Sequence, residues 1–239
     1  VDLTGQRALV TGGAKRIGRG IAEALAGAGA EVAVQYRHSA DEAAAFCEAW
    51  RVRGVKAVAL QADFSDGRAG DLLERAAGEL GGLDLLINNA SVFPRGGFPG
   101  LGAEQLERVF RPNAYAPLEL MQGYAARFGT GSIINLLDRR VRAHDTTCVA
   151  YALTKKTLEE ATALAALAFA PDVRVNAVAP GPVLAPSSGG AEPGGATPLR
   201  RRPEIADIAD AVLYLAGARA VTGQTLFVDG GQHLLGNGV

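Results

Sequence analysis

The chain has 239 residues, enough for one large α/β domain with a sizeable buried core. Hydrophobic residues make up 48% and charged residues 21%, the formal net charge is −1, and no basic stripe offers itself to a nucleic acid. No apolar run reaches bilayer-spanning length, and the opening Val1-Asp2-Leu3-Thr4 has no basic or apolar leader region, so a soluble, cytoplasmic protein without membrane contact is expected. Cys47 and Cys148 stand far apart, outside any metal-like or Cys-x-x-Cys spacing, and read as free thiols; no metal site is expected.

A short apolar run predicts a first strand over 7–11, and an alanine-rich helical period follows over 16–29. Between them Thr11-Gly12-Gly13-Ala14-Lys15-Arg16-Ile17-Gly18 turns from strand straight into helix. Glycines permit so tight a turn, and the helix N-terminus presents free N–H groups and a positive dipole end to a pyrophosphate. Gly12, Arg16, Ile17 and Gly18 are therefore candidate dinucleotide contacts, with a plain strand-to-helix turn as the alternative.

The second strand, over 31–35, runs into Tyr36-Arg37-His38-Ser39 with no carboxylate before Asp41. An acid there would bond ribose hydroxyls and repel a 2′-phosphate, whereas Arg37 can grip a phosphate bidentately and Ser39 can add a donor. Tyr36, Arg37, His38 and Ser39 thus point to NADPH rather than NADH, unless Arg37 and His38 are only the solvated start of the helix over 40–53. After a third strand over 57–61, Asp63 and Phe64 can flank an adenine ring ahead of a helix over 67–80. A fourth strand over 83–87 leads to Asn88-Asn89-Ala90-Ser91, whose amides and small residues let the backbone approach ribose and nicotinamide. Each of these segments alone is also an ordinary turn.

One long helix is predicted over 103–128, then a strand over 131–136 and a second long helix over 150–170. Near the start of the latter, Tyr151 and Lys155 stand at i and i+4 on one helical face. A nearby ammonium favours phenolate, and it is expected to lower the tyrosine pKa from about 10 toward the range useful for acid–base work. A strand over 173–178, a helix over 203–215 and a strand over 225–228 close the pattern. Strands alternating with helices at this spacing predict a single α/β domain, 1–239, with a parallel sheet covered on both faces. The Gly-, Ser- and Pro-rich stretch 181–198 breaks the rhythm. Following a strand, it falls at the carboxyl edge of the sheet, where a substrate loop over about 182–199 acts as a lid, or else is a mere surface insertion.

Taken together, Thr11–Gly18, Asn88-Asn89-Ala90, Asn113, Tyr151/Lys155, Pro180-Gly181 and the closing Thr222-Gly223-Gln224…Val228-Asp229-Gly230-Gly231 resemble the short-chain dehydrogenase/reductase family over the whole chain. The resemblance implies a seven-stranded Rossmann fold and hydride transfer between nicotinamide C4 and a small-molecule substrate. It makes Tyr151 the proton donor, sets Lys155 on the nicotinamide ribose, and gives Asn113 a water in the proton relay. Asn89, Ala90, Ser91, Pro180 and Gly181 join the implied cofactor contacts.

Two positions depart from the general family pattern. Arg16 stands at the middle glycine of the turn, and Asp138 replaces the serine expected thirteen residues before the tyrosine. Both are similar to the pteridine and dihydromonapterin reductases of the family, as are Ser91 and Phe93, which match positions that contact cofactor and stack on the pterin; the phosphate segment carries Arg37-His38 in swapped order. A pterin presents an amino-pyrimidinone edge and ring nitrogens that must be protonated, tasks that suit a carboxyl beside Tyr151. Arg16 can reach both pyrophosphate and pterin, and Phe93 can supply an apolar face, though it also fits ordinary loop packing.

The implied activity is NADPH-dependent reduction of a dihydropterin or dihydrofolate, with Arg16, Ser91, Phe93, Asp138 and Tyr151 facing substrate. A carbonyl reductase of 3-oxoacyl thioesters is the alternative enzyme, and a non-catalytic NADPH sensor the alternative class, since Arg139-Arg140-Val141-Arg142 could disturb the site. Those arginines could instead attract an anionic substrate tail. Related enzymes imply a homotetramer, and Ala161, Ala163, Ala165, Ala166 and Ala168 make a helix slim enough for close packing on a neighbour or on the chain's own sheet.

Overall fold

The computed structural model describes residues 1–67, 69–183 and 197–235. Its strands are β1 (Arg7–Val10), β2 (Glu31–Tyr36), β3 (Ala57–Gln61), β4 (Leu85–Asn88), β5 (Gly131–Leu136), β6 (Val173–Pro180) and β7 (Thr225–Val228). Its helices are α1 (Arg16–Gly27), α2 (Ala40–Arg51), α3 (Gly70–Leu80), α4 (Ala103–Phe110), α5 (Ala116–Phe128), α6 (Val149–Ala168) and α7 (Ile205–Gly217). All seven strands lie parallel in one sheet, ordered β3-β2-β1-β4-β5-β6-β7.

The pleat explains why the strands read as unbroken apolar runs. Leu9, Leu86 and Ile133 point to one face, where they pack with Leu72, Leu120 and Leu158 of α3, α5 and α6. Their neighbours Val10, Ile87 and Ile134 point to the other, against Ile21, Phe46 and Val212 of α1, α2 and α7. One sheet therefore carries two cores, as the sequence pattern anticipates. The chain runs outward from β1 to β3, then returns to lay β4 on the other side of β1. That reversal leaves a crevice between the carboxyl ends of β1 and β4, the place where open α/β sheets bind ligands.

The largest departure from the sequence reading is in the stretch expected as one helix over 103–128. It breaks into α4, a single π-helical turn Arg111–Tyr115, and α5. Pro112 and Pro117 lack the N–H groups a continuous α-helix would use, and the widened turn carries Asn113. At α7 the start moves to Ile205, because Glu204 and Asp207 exchange a capping box there. Strand β6 runs on to Pro180, paired with Val228 of β7. Most of the expected lid, 184–196, falls outside the described residues. No helix of the described residues is long and apolar enough to cross a membrane. Among them no cluster of metal-ligating side chains occurs.

Candidate active site

The glycine turn and the segment after β4 are stitched into one unit. Thr11 Oγ1 accepts the Asn89 and Ala90 N–H groups at 2.9 and 3.0 Å, while Asn89 Nδ2 donates to the Thr11 and Gly12 carbonyls at 2.8 and 3.2 Å. Gly12 sits at φ +63°, and a Cβ on Gly18 would lie 2.2 Å from the Gly12 carbonyl oxygen. Only glycine fits there. Arg16 opens α1 at φ +55°, in the left-handed region. This is the physical reason a glycine suits the position, and a side chain held there costs about 1 kcal/mol or more. The first turn of α1 has no acidic residue, so its N-terminus faces an anion without competition from its own side chains.

Gln35, which the sequence reading took as plain strand, completes the turn. Its Oε1 accepts the Gly12 N–H at 2.8 Å and its Nε2 donates to the Ala62 carbonyl at 2.6 Å. A buried glutamine ending an otherwise apolar strand was the available signal.

A groove of about 710 Å³ runs from this turn past Arg37, Asp63 and Phe64 on one side to Ala90, Ser91 and Phe93 on the other. Arg37 Nε pairs with Asp63 Oδ2 at 2.7 Å. Burial works against ionisation of Asp63, but the Ser65 N–H and hydroxyl and the Arg37 guanidinium outweigh it and pull its pKa down. Tyr36, His38 and Ser39 follow on the same strand end without lining the groove; Ser39 stands at the N-cap of α2. Pro180 and Gly181 lie at the end of β6, and a Cβ on Gly181 would meet Asp229 at 2.8 Å.

At the far end the predicted catalytic residues come together. Tyr151 donates its hydroxyl to Asp138 Oδ2 at 3.0 Å. Phe93 meets the Tyr151 ring edge-on, centroids 4.5 Å apart. Lys155 Nζ lies 5.7 Å from the centre of that ring and donates to the Leu136 carbonyl at 2.7 Å. The side chain of Asn113 is wholly buried and engaged at both ends: Oδ1 accepts the Val92 N–H, and Nδ2 donates to the Val92 carbonyl, both at 2.8 Å. The π-helical turn thereby clamps the loop that presents Ser91 and Phe93.

The expected lowering of the Tyr151 pKa is not what the site does. Burial first, and the Asp138 charge second, hold the phenol well above its ordinary value. Burial likewise brings Lys155 down to about 8, with the Asp138 charge opposing the fall. Tyr151 therefore keeps its proton in this arrangement. Burial also pushes the neighbouring Cys148 thiol up to about 12.

The arginine run lies mostly inside the protein. Arg139 and Arg140 are buried, and Arg140 bridges Asp138 and Asp145. Only Arg142 faces outward, paired with Glu159 at 3.1 Å. The two buried arginines are thus not placed to attract a substrate tail. Asp145 was missed because nothing local marks it; its role comes from a fold that turns it toward Arg140.

A family model described as enoyl-(acyl carrier protein) reductase matches residues 12–233. The chain belongs to the short-chain dehydrogenase/reductase family. It is 37% identical to an uncharacterized oxidoreductase of Methylorubrum extorquens, covering 96% of this chain and 98% of that one. It is 35% identical to L-xylulose reductase of Bos taurus, over 96% and 97% of the two chains. Its fold superposes on FolM alternative dihydrofolate reductase 1 from Brucella canis complexed with NADP, with a TM-score of 0.92, 35% identity, and 97% and 95% coverage. As a short-chain dehydrogenase/reductase the chain is an oxidoreductase, and both departures from the general pattern have structural partners here. Arg16 occupies a left-handed backbone position, and Asp138 is matched to Arg140.

Proposed function

We propose that this enzyme uses NADPH to reduce a dihydropterin, such as dihydrobiopterin, dihydromonapterin or dihydrofolate, to its tetrahydro form. The observation that carries the reading is the Asp138 carboxylate, 3.0 Å from the Tyr151 hydroxyl where the family places a serine. The likeness to an alternative dihydrofolate reductase supports it.

The residues fit a dinucleotide. The glycine turn leaves no room for a Cβ at Gly18, the α1 N-terminus is free of acids, and Arg37 stands at the end of β2 for a 2′-phosphate. NADPH, when bound, supplies the hydride from nicotinamide C4. The chain supplies the rest. Gly12 and Ala90 line the groove, the family resemblance adds Ile17, Asn89, Pro180 and Gly181 to the cofactor contacts, and Arg16 and Phe93 border the substrate. Tyr151, held protonated by its surroundings, gives its proton to the ring nitrogen next to the carbon that receives hydride. Lys155 stabilises the phenolate left behind. Asp138 accepts from the Arg140 N–H and guanidinium and from the Tyr151 hydroxyl, and can likewise accept from the N–H groups of an amino-pyrimidinone edge.

NADPH oxidation with dihydrobiopterin, dihydrofolate and acetoacetyl thioester, on wild type and Asp138→Ser, tests this. Wild type is expected to turn over a pterin and Asp138→Ser to lose that activity. Turnover of the thioester alone would establish a carbonyl reductase, and no turnover at all a non-catalytic NADPH-binding protein.

We further propose a homotetramer working in the cytoplasm. Ala165 and Ala166 pack on the chain's own sheet, but Leu153, Leu164 and Leu167 of α6 and Leu118 of α5 are exposed apolar side chains. A light-scattering mass near 24.6 kDa would refute the assembly.

A further inference from the structure

We propose that Arg140 is a positioning residue for this reaction, a single buried guanidinium that holds Asp138 and Phe93, and through them Tyr151, in working arrangement. The short helical turn Arg139–Arg142 aims it inward. Its Nη1 donates to both oxygens of Asp138, at 3.2 and 3.1 Å, and its Nε donates to Asp145 Oδ2 at 2.8 Å. The Arg140 backbone N–H adds a further bond to Asp138 Oδ1 at 2.8 Å. The guanidinium carbon stands 5.3 Å from the centre of the Phe93 ring, whose edge-on partner is Tyr151. Three residues expected to face the substrate therefore share one anchor.

The arrangement is interior rather than decorative. The Arg140 and Asp145 side chains are 8% and 1% exposed, and Thr147 locks Asp145 from behind with its N–H at 2.8 Å and its hydroxyl at 2.6 Å. A serine at 138 would need no counter-ion, but a carboxylate at 15% exposure beside a buried phenol does. Lys155 is another buried cation of the site, held on the Leu136 carbonyl. The fork of Arg140 fixes Asp138 on Tyr151 and leaves Lys155 to the cofactor. Asp145 and Arg140 thus form the support that lets an acid stand where the family has a serine.

The inference rests on the dihydropterin reading for its substrate, so variants are assayed with both dihydrobiopterin and acetoacetyl thioester. Arg140→Met alone strands two buried carboxylates and is expected to lose the fold. Arg140→Met/Asp145→Asn leaves only Asp138 without its partner and is expected to melt below wild type but to stay folded and bind NADPH with near-wild-type affinity. Its kcat is expected to fall about 100-fold, the scale of an ångström-level misplacement. Arg140→Lys keeps the charge without the fork and is expected to fold and to lose about tenfold in kcat. Wild-type kcat in a folded double variant, or in Arg140→Lys should the double variant not fold, would overturn the proposal. If wild type turns over only the thioester, the pterin reading fails, and the same kcat comparison on the thioester still decides for or against Arg140.

Discussion

Replacing Lys155 by Met should make the cofactor-free protein more stable while abolishing catalysis. Burial brings the Lys155 pKa from 10.5 down to about 8, with the Asp138 charge opposing the fall. That gap corresponds to about 3 kcal/mol by which the folded state disfavours the charged amine at neutral pH. Methionine keeps the aliphatic stem and drops the charge, but it leaves the Leu136 carbonyl without the Nζ donor now 2.7 Å away. The lost bond returns about 1 kcal/mol. The net gain at pH 7 is about 2 kcal/mol, a rise in Tm of roughly 4–8 °C for a chain of this size. The pH dependence is specific. Below about 8 folded and unfolded lysine both hold the proton, so the full penalty is present. Between about 8 and 10.5 the folded form has released it while the unfolded form has not, so wild type gains stability on the variant as pH rises. Melting curves of both proteins at pH 7 and pH 10 check this. A variant less stable than wild type at pH 7, or equally advantaged at both pH values, would refute the reasoning.

Arg37→Ala should weaken NADPH about tenfold or more and leave NADH nearly unchanged, read by fluorescence titration of each; equal losses would remove the 2′-phosphate from its role. Arg16→Gly relieves a left-handed backbone at φ +55° and should raise Tm slightly in the absence of ligand, while raising the KM for the pterin. Gly18→Ala places a Cβ 2.2 Å from the Gly12 oxygen and should abolish NADPH binding, with a stability loss of about 2 kcal/mol or more by thermal melting. With its thiol pushed up to about 12, Cys148 should resist a thiol-specific reagent at pH 8 in the folded protein and react once denatured.

Much of the site was legible because its parts are local. The glycine turn, Asn89-Ala90-Ser91 and the Tyr151/Lys155 spacing each reflect backbone geometry within a few residues. The break at Arg111–Tyr115 was hidden because apolar periodicity runs on through a π-helical turn, and only Pro112 and Pro117 hinted at it. The burial of Arg140 and its pairing with Asp145 were hidden for a different reason. Burial is a property of neighbours distant in the chain, and no local pattern marks it.

By itself the sequence determined the sheet, its parallel order of strands and helices, and the list of groups that carry chemistry, because periodicity and glycine placement are set residue by residue. The tertiary structure alone decided the electrostatics. It showed that Tyr151 keeps its proton, because it is buried against an acid. It also showed that Asp138 stands on a buried arginine, because Arg139–Arg142 folds inward as a short helical turn and sets the guanidinium between Asp138 and Asp145.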